Sequence, residues 1–128
     1  MAASTGLRAA LRNALGGAMK DRDQIAVAAF RAALGVVDNA EAADLSQAPA
    51  VQPGTIAGGV VGLGAGEVPR LELSDDQLAA RLRAEIADWK STAADYERHG
   101  RTDSAIRLYA EAAILSDLLD LLDATGRA

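Results

Sequence analysis

The chain has no cysteine, a single histidine, three prolines and only one phenylalanine, one tryptophan and two tyrosines among its 128 residues. Without cysteine there can be no disulfide, no thiolate nucleophile and no cysteine-bound metal. One histidine cannot assemble the usual zinc sets either. The same absence fits a reducing compartment, so a cytoplasmic location is expected. No apolar run approaches the roughly 20 residues that span a bilayer, and the opening MAASTGLRAALRNALGG has no apolar core of a secretion signal. No membrane partner is expected.

Bulky apolar residues are also scarce. Half of the chain is apolar, but much of that is alanine, and small side chains favour closely packed helices over a thick sheet core. The length suits one domain, 1–128, with no room for a separate catalytic domain. The formal net charge of -5 argues against broad electrostatic capture of nucleic acid, and DNA is not an expected partner. Charge is nevertheless sorted along the chain. Arg8, Arg12, Lys20, Arg22 and Arg31 stand against Asp21 and Asp23, whereas the last eighteen residues carry Glu111, Asp117, Asp120 and Asp123 against Arg127.

Periodicity points to an all-α fold of four helices. Ser4 or Thr5 is a plausible cap for a first helix with Leu7, Leu11, Leu15 and Ala18 on one side. Gly16 and Gly17 interrupt it, so either the helix ends there or a partner packs very close. Asp23 can cap a second helix with Ile25, Ala29, Ala33, Val36 and Val37 as its stripe, broadened by Phe30 and Leu34. From about 44 to 73 the helical period disappears, and prolines and glycines dominate; a flexible or functional crossing is expected. Ser74 and Gln77 then form a capping box, assisted by Asp75 and Asp76. The helix that follows has Leu78, Leu82, Ile86, Trp89, Ala93 and Tyr96 on one face. Gly100 closes it, and Thr102 or Asp103 is expected to cap the last helix, whose apolar side reads Ile106, Tyr109, Ala113, Leu115, Leu119 and Leu122. The last two helices make an antiparallel pair.

Signals for chemistry are few. The run GGVVGLGAG at 58–66 lacks the lysine and hydroxyl residue of a phosphate loop. Gly62, Gly64 and Gly66 are followed by Glu67 and Pro69, where a dinucleotide site needs a helix start. A connection is the better reading. His99 beside Gly100 is expected to meet the last carbonyls of its helix. Asp75 with Asp76, Glu85 with Asp88, and Asp95 with Glu97 read as solvated helix faces. Trp89 and Tyr109 read as core anchors. Arg31 and Glu85 are candidate polar partners between helices, and Asp103 and Arg107 an i,i+4 pair. No catalytic, metal or cofactor residue is assigned.

The segments ALGGAMKDRDQIAVAAFRAAL and LELSDDQLAARLRAEIADWKSTAADYERHGRTDSAIRLYAEAAILSDLL resemble, in order and spacing, the YqeY-like branch of the GatB/YqeY family. The glycine-rich IAGGVVGLGAGEVPR is similar to the crossing of actinobacterial members. The matching residues are Met19, Lys20, Asp23, Arg31, Glu85, Tyr96, Gly100, Arg101, Asp103, Glu111 and Leu115. The resemblance implies a four-helix YqeY-like N-terminal domain and assigns no catalytic residue among these positions. In the family a three-helix tail normally follows, resembling the tRNA-holding end of the B subunit of the tRNA-dependent amidotransferase. Here LLD stands where YLP would mark the boundary, so the expectation is a YqeY-like protein lacking that tail.

Together these features imply a small non-enzymatic helical module that binds a macromolecule, protein or tRNA. Arg8, Arg12, Lys20 and Arg22 are its candidate contacts, and protein is favoured by the negative total charge. An accessory role in amidotransferase chemistry, a carbon-nitrogen ligation with glutamine as amide donor, is the alternative that the resemblance alone implies. Leu118, Leu119, Leu121 and Leu122 are more leucine than one helix face needs, which leaves a homodimer through apolar faces open.

Overall fold

A computed structural model of the chain describes residues 2–46 and 73–126. Among them are four α-helices and no strand: α1 (Ala2–Lys20), α2 (Gln24–Ser46), α3 (Asp75–Arg98) and α4 (Thr102–Gly126). The glycine run at 58–66, with Glu67, Pro69 and most of the expected crossing, lies outside the described residues. Helix α2 continues to Ser46, past the expected start of that crossing.

The helices form a bundle of two antiparallel hairpins, α1–α2 and α3–α4. The Leu7 N–H donates to Asp75 Oδ1 at 3.3 Å, which sets the starts of α1 and α3 at one end of the bundle. At that approach a Cβ on Gly6 would stand 3.0 Å from Asp75 Oδ2, so the glycine leaves the room the carboxylate uses. Ion pairs from Arg8 to Glu41 and from Arg83 to Asp120 bring the ends of α2 and α4 to the same end. Helix α2 packs on all three others.

Close packing of small residues holds the layers together. Leu11, Val37, Leu78, Leu82 and Leu115 are fully buried, and Ala29, Ala33, Ala93, Ala105 and Ala112 have no exposed surface at all. Alanine at such positions lets helix axes approach, and the leucines fill the space between them. Trp89 packs half-buried against this core, as its position in the α3 stripe predicts.

Local signals account for most helix ends. The Ser74 hydroxyl accepts the Gln77 N–H at 3.1 Å, and the Gln77 side chain accepts the Ser74 N–H at 2.8 Å, completing the expected capping box. Asp23 Oδ1 accepts the Ala26 N–H at 3.1 Å and caps α2. Two boundaries differ from expectation. Helix α1 starts at Ala2, ahead of Ser4 and Thr5, and runs straight through Gly16 and Gly17. Nothing lies within 4 Å of where a Cβ would stand on either glycine. The helix continues because its Leu7, Leu11 and Ala18 face is buried, which offsets about 1 kcal/mol per glycine. Helix α4 begins at Thr102 itself, and neither Thr102 nor Asp103 supplies a side-chain cap among the described residues.

The register of α4 also differs. Its buried face is Ala105, Ala112, Leu115 and Leu119, while Ile106, Tyr109 and Ala113 lie outside. Both sides of α4 carry alanines; the buried side joins Ala105 and Ala112, which let the helices approach, to Leu115 and Leu119, which fill the core, and the apolar pattern alone does not single it out.

Candidate functional site

The turn between α1 and α2 is a Schellman closure. The Asp23 N–H reaches back to the Ala18 carbonyl at 3.0 Å and the Arg22 N–H to Met19 at 3.1 Å. This pattern demands a left-handed residue, and Arg22 supplies it with φ of 56°. A side chain there costs about 1–2 kcal/mol, because its Cβ crowds the following carbonyl oxygen.

Around this turn the cations are unmatched. The charged groups of Arg12, Lys20, Arg22 and Arg31 are exposed and have no hydrogen-bond or ion-pair partner among the described residues. Arg22 and Arg31 line a shallow groove of about 490 Å³ with Met19, Gln24, Val27 and Ala28. Met19 is 52% exposed at its edge. Helical spacing puts Arg12 on the same side of α1 as Met19, two turns back. Three other cations lack a hydrogen-bond or ion-pair partner among the described residues: Arg81 and Lys90 stand on opposite sides of α3, and Arg101 lies over the Tyr96 ring in the α3–α4 turn.

Four other arginines are engaged in ion pairs among the described residues: Arg8, Arg83, Arg98 and Arg107. Arg8, the fourth sequence candidate, spends its charge within the chain: Nη1 donates to Asp38 Oδ1 at 2.7 Å and Nη2 pairs with Glu41 Oε1. Its side chain is 20% exposed and that of Glu41 only 4%. Burial lowers the Arg8 pKa, but the hydrogen bonds and charges of the two carboxylates outweigh it and leave it raised. Arg83 pairs with Asp120 at 3.0 Å, and Arg98 with Asp95.

The expected polar partners are rearranged. No bond joins Arg31 to Glu85, because Arg31 sits on the outer side of α2 beside α1, whereas Glu85 is half-buried on α3. Arg8 with Asp38 and Glu41 supplies the inter-helix link instead, at separations of 30 and 33 residues that no local pattern reveals. Arg107 pairs forward with Glu111 at 3.5 Å rather than back with Asp103. The longer glutamate reaches it, and at 16% exposure that carboxylate gains more from a counter-charge. His99 Nδ1 lies 2.8 Å from the Asp95 carbonyl, as its place beside Gly100 predicts. Tyr109 is an outer residue rather than a core anchor, and its hydroxyl donates to Glu97 at 3.2 Å. The Arg101 guanidinium stands 6.0 Å from the Tyr96 ring centre.

A second hollow, of about 600 Å³, opens between the starts of α1 and α3 and the end of α4. Asp75, Asp76 and Asp123 face it, with Arg83 held by carboxylates of α4. Burial raises the Asp75 pKa, opposed by the Leu7 N–H and assisted by Asp76. Among the described residues no three histidine or carboxylate groups are placed to hold a metal ion. No helix of the described residues is long and apolar enough to cross a membrane.

Comparison of the chain with protein-family profiles, characterised proteins and solved structures finds no match.

Proposed function

We propose that the protein is a small non-enzymatic helical module, YqeY-like in the order and spacing of its motifs, which holds a macromolecule on the α1–α2 hairpin. One observation carries this reading: Arg22 and Arg31 line one groove, with Arg12 and Lys20 on the same hairpin, and all four are unmatched, whereas Arg8, Arg83, Arg98 and Arg107 are paired among the described residues of a chain of net charge -5. Unmatched cations gathered beside a groove are a surface for an anionic partner. Arg22 adds to this, since a strained backbone at an exposed cation favours a role for that side chain.

The floor of the groove, Met19, Val27 and Ala28, suits a protein segment with both acidic and apolar residues better than a phosphate backbone. Capture from a whole-cell extract by the intact protein, with mass spectrometry for proteins and sequencing for RNA, tests the reading. A variant with Arg12, Lys20, Arg22 and Arg31 all replaced by alanine is expected to lose its partner. For bound tRNA, affinity should fall with salt with a log-log slope of roughly 0.9 per phosphate contact, reduced in the variant. Binding that is equal for both proteins at every salt concentration would end this reading.

A further inference from the structure

We infer that the groove on α1–α2 takes the outer face of α4 from a second copy of the chain, head to tail. The inference rests on that hairpin being the binding face and names an occupant for it.

Four large apolar side chains are exposed among the described residues, and they divide between two faces of opposite charge. Met19 lies in the cationic groove with Arg22 and Arg31. The other three, Ile106 at 61%, Tyr109 at 36% and Leu121 at 62%, stand on α4. Positions 103, 106, 110, 113, 117 and 121 recur at spacings of three and four and so make one stripe along that helix. The stripe reads Asp103, Ile106, Ala110, Ala113, Asp117 and Leu121, with Asp120 at its flank. It is an apolar ridge studded with carboxylates and set by small residues, the chemistry the groove lacks.

Neither face can satisfy the other within one molecule. Helices α2 and α4 pack on each other, but through their buried sides; the groove residues Arg22, Gln24 and Arg31 and the ridge residues Ile106, Asp117 and Leu121 are exposed and point away from that contact. A contact between unlike faces leaves one groove and one ridge free on each pair. It therefore propagates rather than stopping at a symmetric dimer. Its ion pairs at the rim make it weaken with salt.

Sedimentation equilibrium over a wide range of protein concentration tests the inference. The expected result is a mass that rises beyond the dimer with concentration and falls back in high salt. The groove variant Arg22→Glu/Arg31→Glu and the ridge variant Ile106→Lys/Asp117→Lys should each be monomeric, with circular dichroism showing both folded; all four positions are exposed. Each variant keeps one intact face, so a mixture of the two should give a one-to-one complex and nothing larger. Association weakened at least about tenfold in each variant alone is the expected effect. A wild-type mass that stays monomeric overturns the inference. So does a salt-insensitive dimer that survives the groove variant, since that would be a contact between like faces. If the monomeric protein still captures another macromolecule through Arg12, Lys20, Arg22 and Arg31, the self-association fails and the binding face stands.

Discussion

The two hairpins close with the same hydrogen-bond pattern and opposite residues at its strained position. At the α3–α4 turn the Arg101 N–H reaches the Tyr96 carbonyl at 2.8 Å and the Gly100 N–H reaches Glu97 at 3.0 Å, with Gly100 left-handed at φ of 77°. At the α1–α2 turn Arg22 holds that place. The contrast extends along the helices. Helix α3 opens with a complete capping box, whereas α1 carries Gly16 and Gly17, and α2 carries Gly35, at exposed positions where a Cβ would meet nothing within 4 Å. One hairpin obeys local preference, and the other breaks it at exposed positions near its unmatched cations. Local rules broken without a packing reason are the mark of a surface kept for another purpose.

Equilibrium unfolding in urea can break or sharpen this contrast. The largest effect is expected at the ion pairs, because Arg8 serves a nearly buried carboxylate and Arg83 serves exposed ones. Arg8→Ala should cost about 2–3 kcal/mol, whereas Arg83→Ala should cost about 1 kcal/mol or less. Next, Gly16→Ala with Gly17→Ala should stabilise the protein by about 1–2 kcal/mol together, since both methyl groups enter open space. A loss of stability would mean that α1 does not stay helical through the pair.

The two turns should then respond with opposite signs. Arg22→Gly should gain about 1 kcal/mol and Gly100→Ala should lose about 1 kcal/mol, because the same left-handed backbone is strained by a side chain in each case. Equal signs would remove the comparison. The smallest effect is one of pH. Burial raises the Asp75 pKa in the fold, so the folded state binds its proton more tightly than the unfolded chain does. Its contribution is favourable below the unfolded pKa and is lost as pH rises through the folded one. Asp75→Asn, which can still accept the Leu7 N–H, should therefore gain stability over the wild type at pH 7 and little at pH 3.

Where the sequence carries local chemistry, it is legible. Ser74 with Gln77, Asp23, His99 and Gly100 all act within a few residues of themselves, and each does what its spacing predicts. Helix α3 reads correctly because its apolar residues keep to one side. Helix α4 does not, because apolar residues surround it and alanine hides which side can approach a neighbour. The Arg8 pairs were illegible for a different reason, since Asp38 and Glu41 meet it only once two helices have packed. Arg22 gave no warning either, because nothing local distinguishes a strained arginine from an ordinary one. Of the candidate contacts, Arg12, Lys20 and Arg22 remain on an open face, Arg8 is turned inward, and Arg31 joins them from α2.

The most direct measurement is capture from a whole-cell extract by three folded proteins: the wild type, the Arg12, Lys20, Arg22, Arg31 alanine variant, and an Arg81→Ala/Lys90→Ala control that removes unmatched cations from α3. The account predicts that whatever the wild type retains is lost from the α1–α2 variant and kept by the α3 control. Retention by all three, or equal loss from both variants, would contradict the assignment of binding to the α1–α2 hairpin.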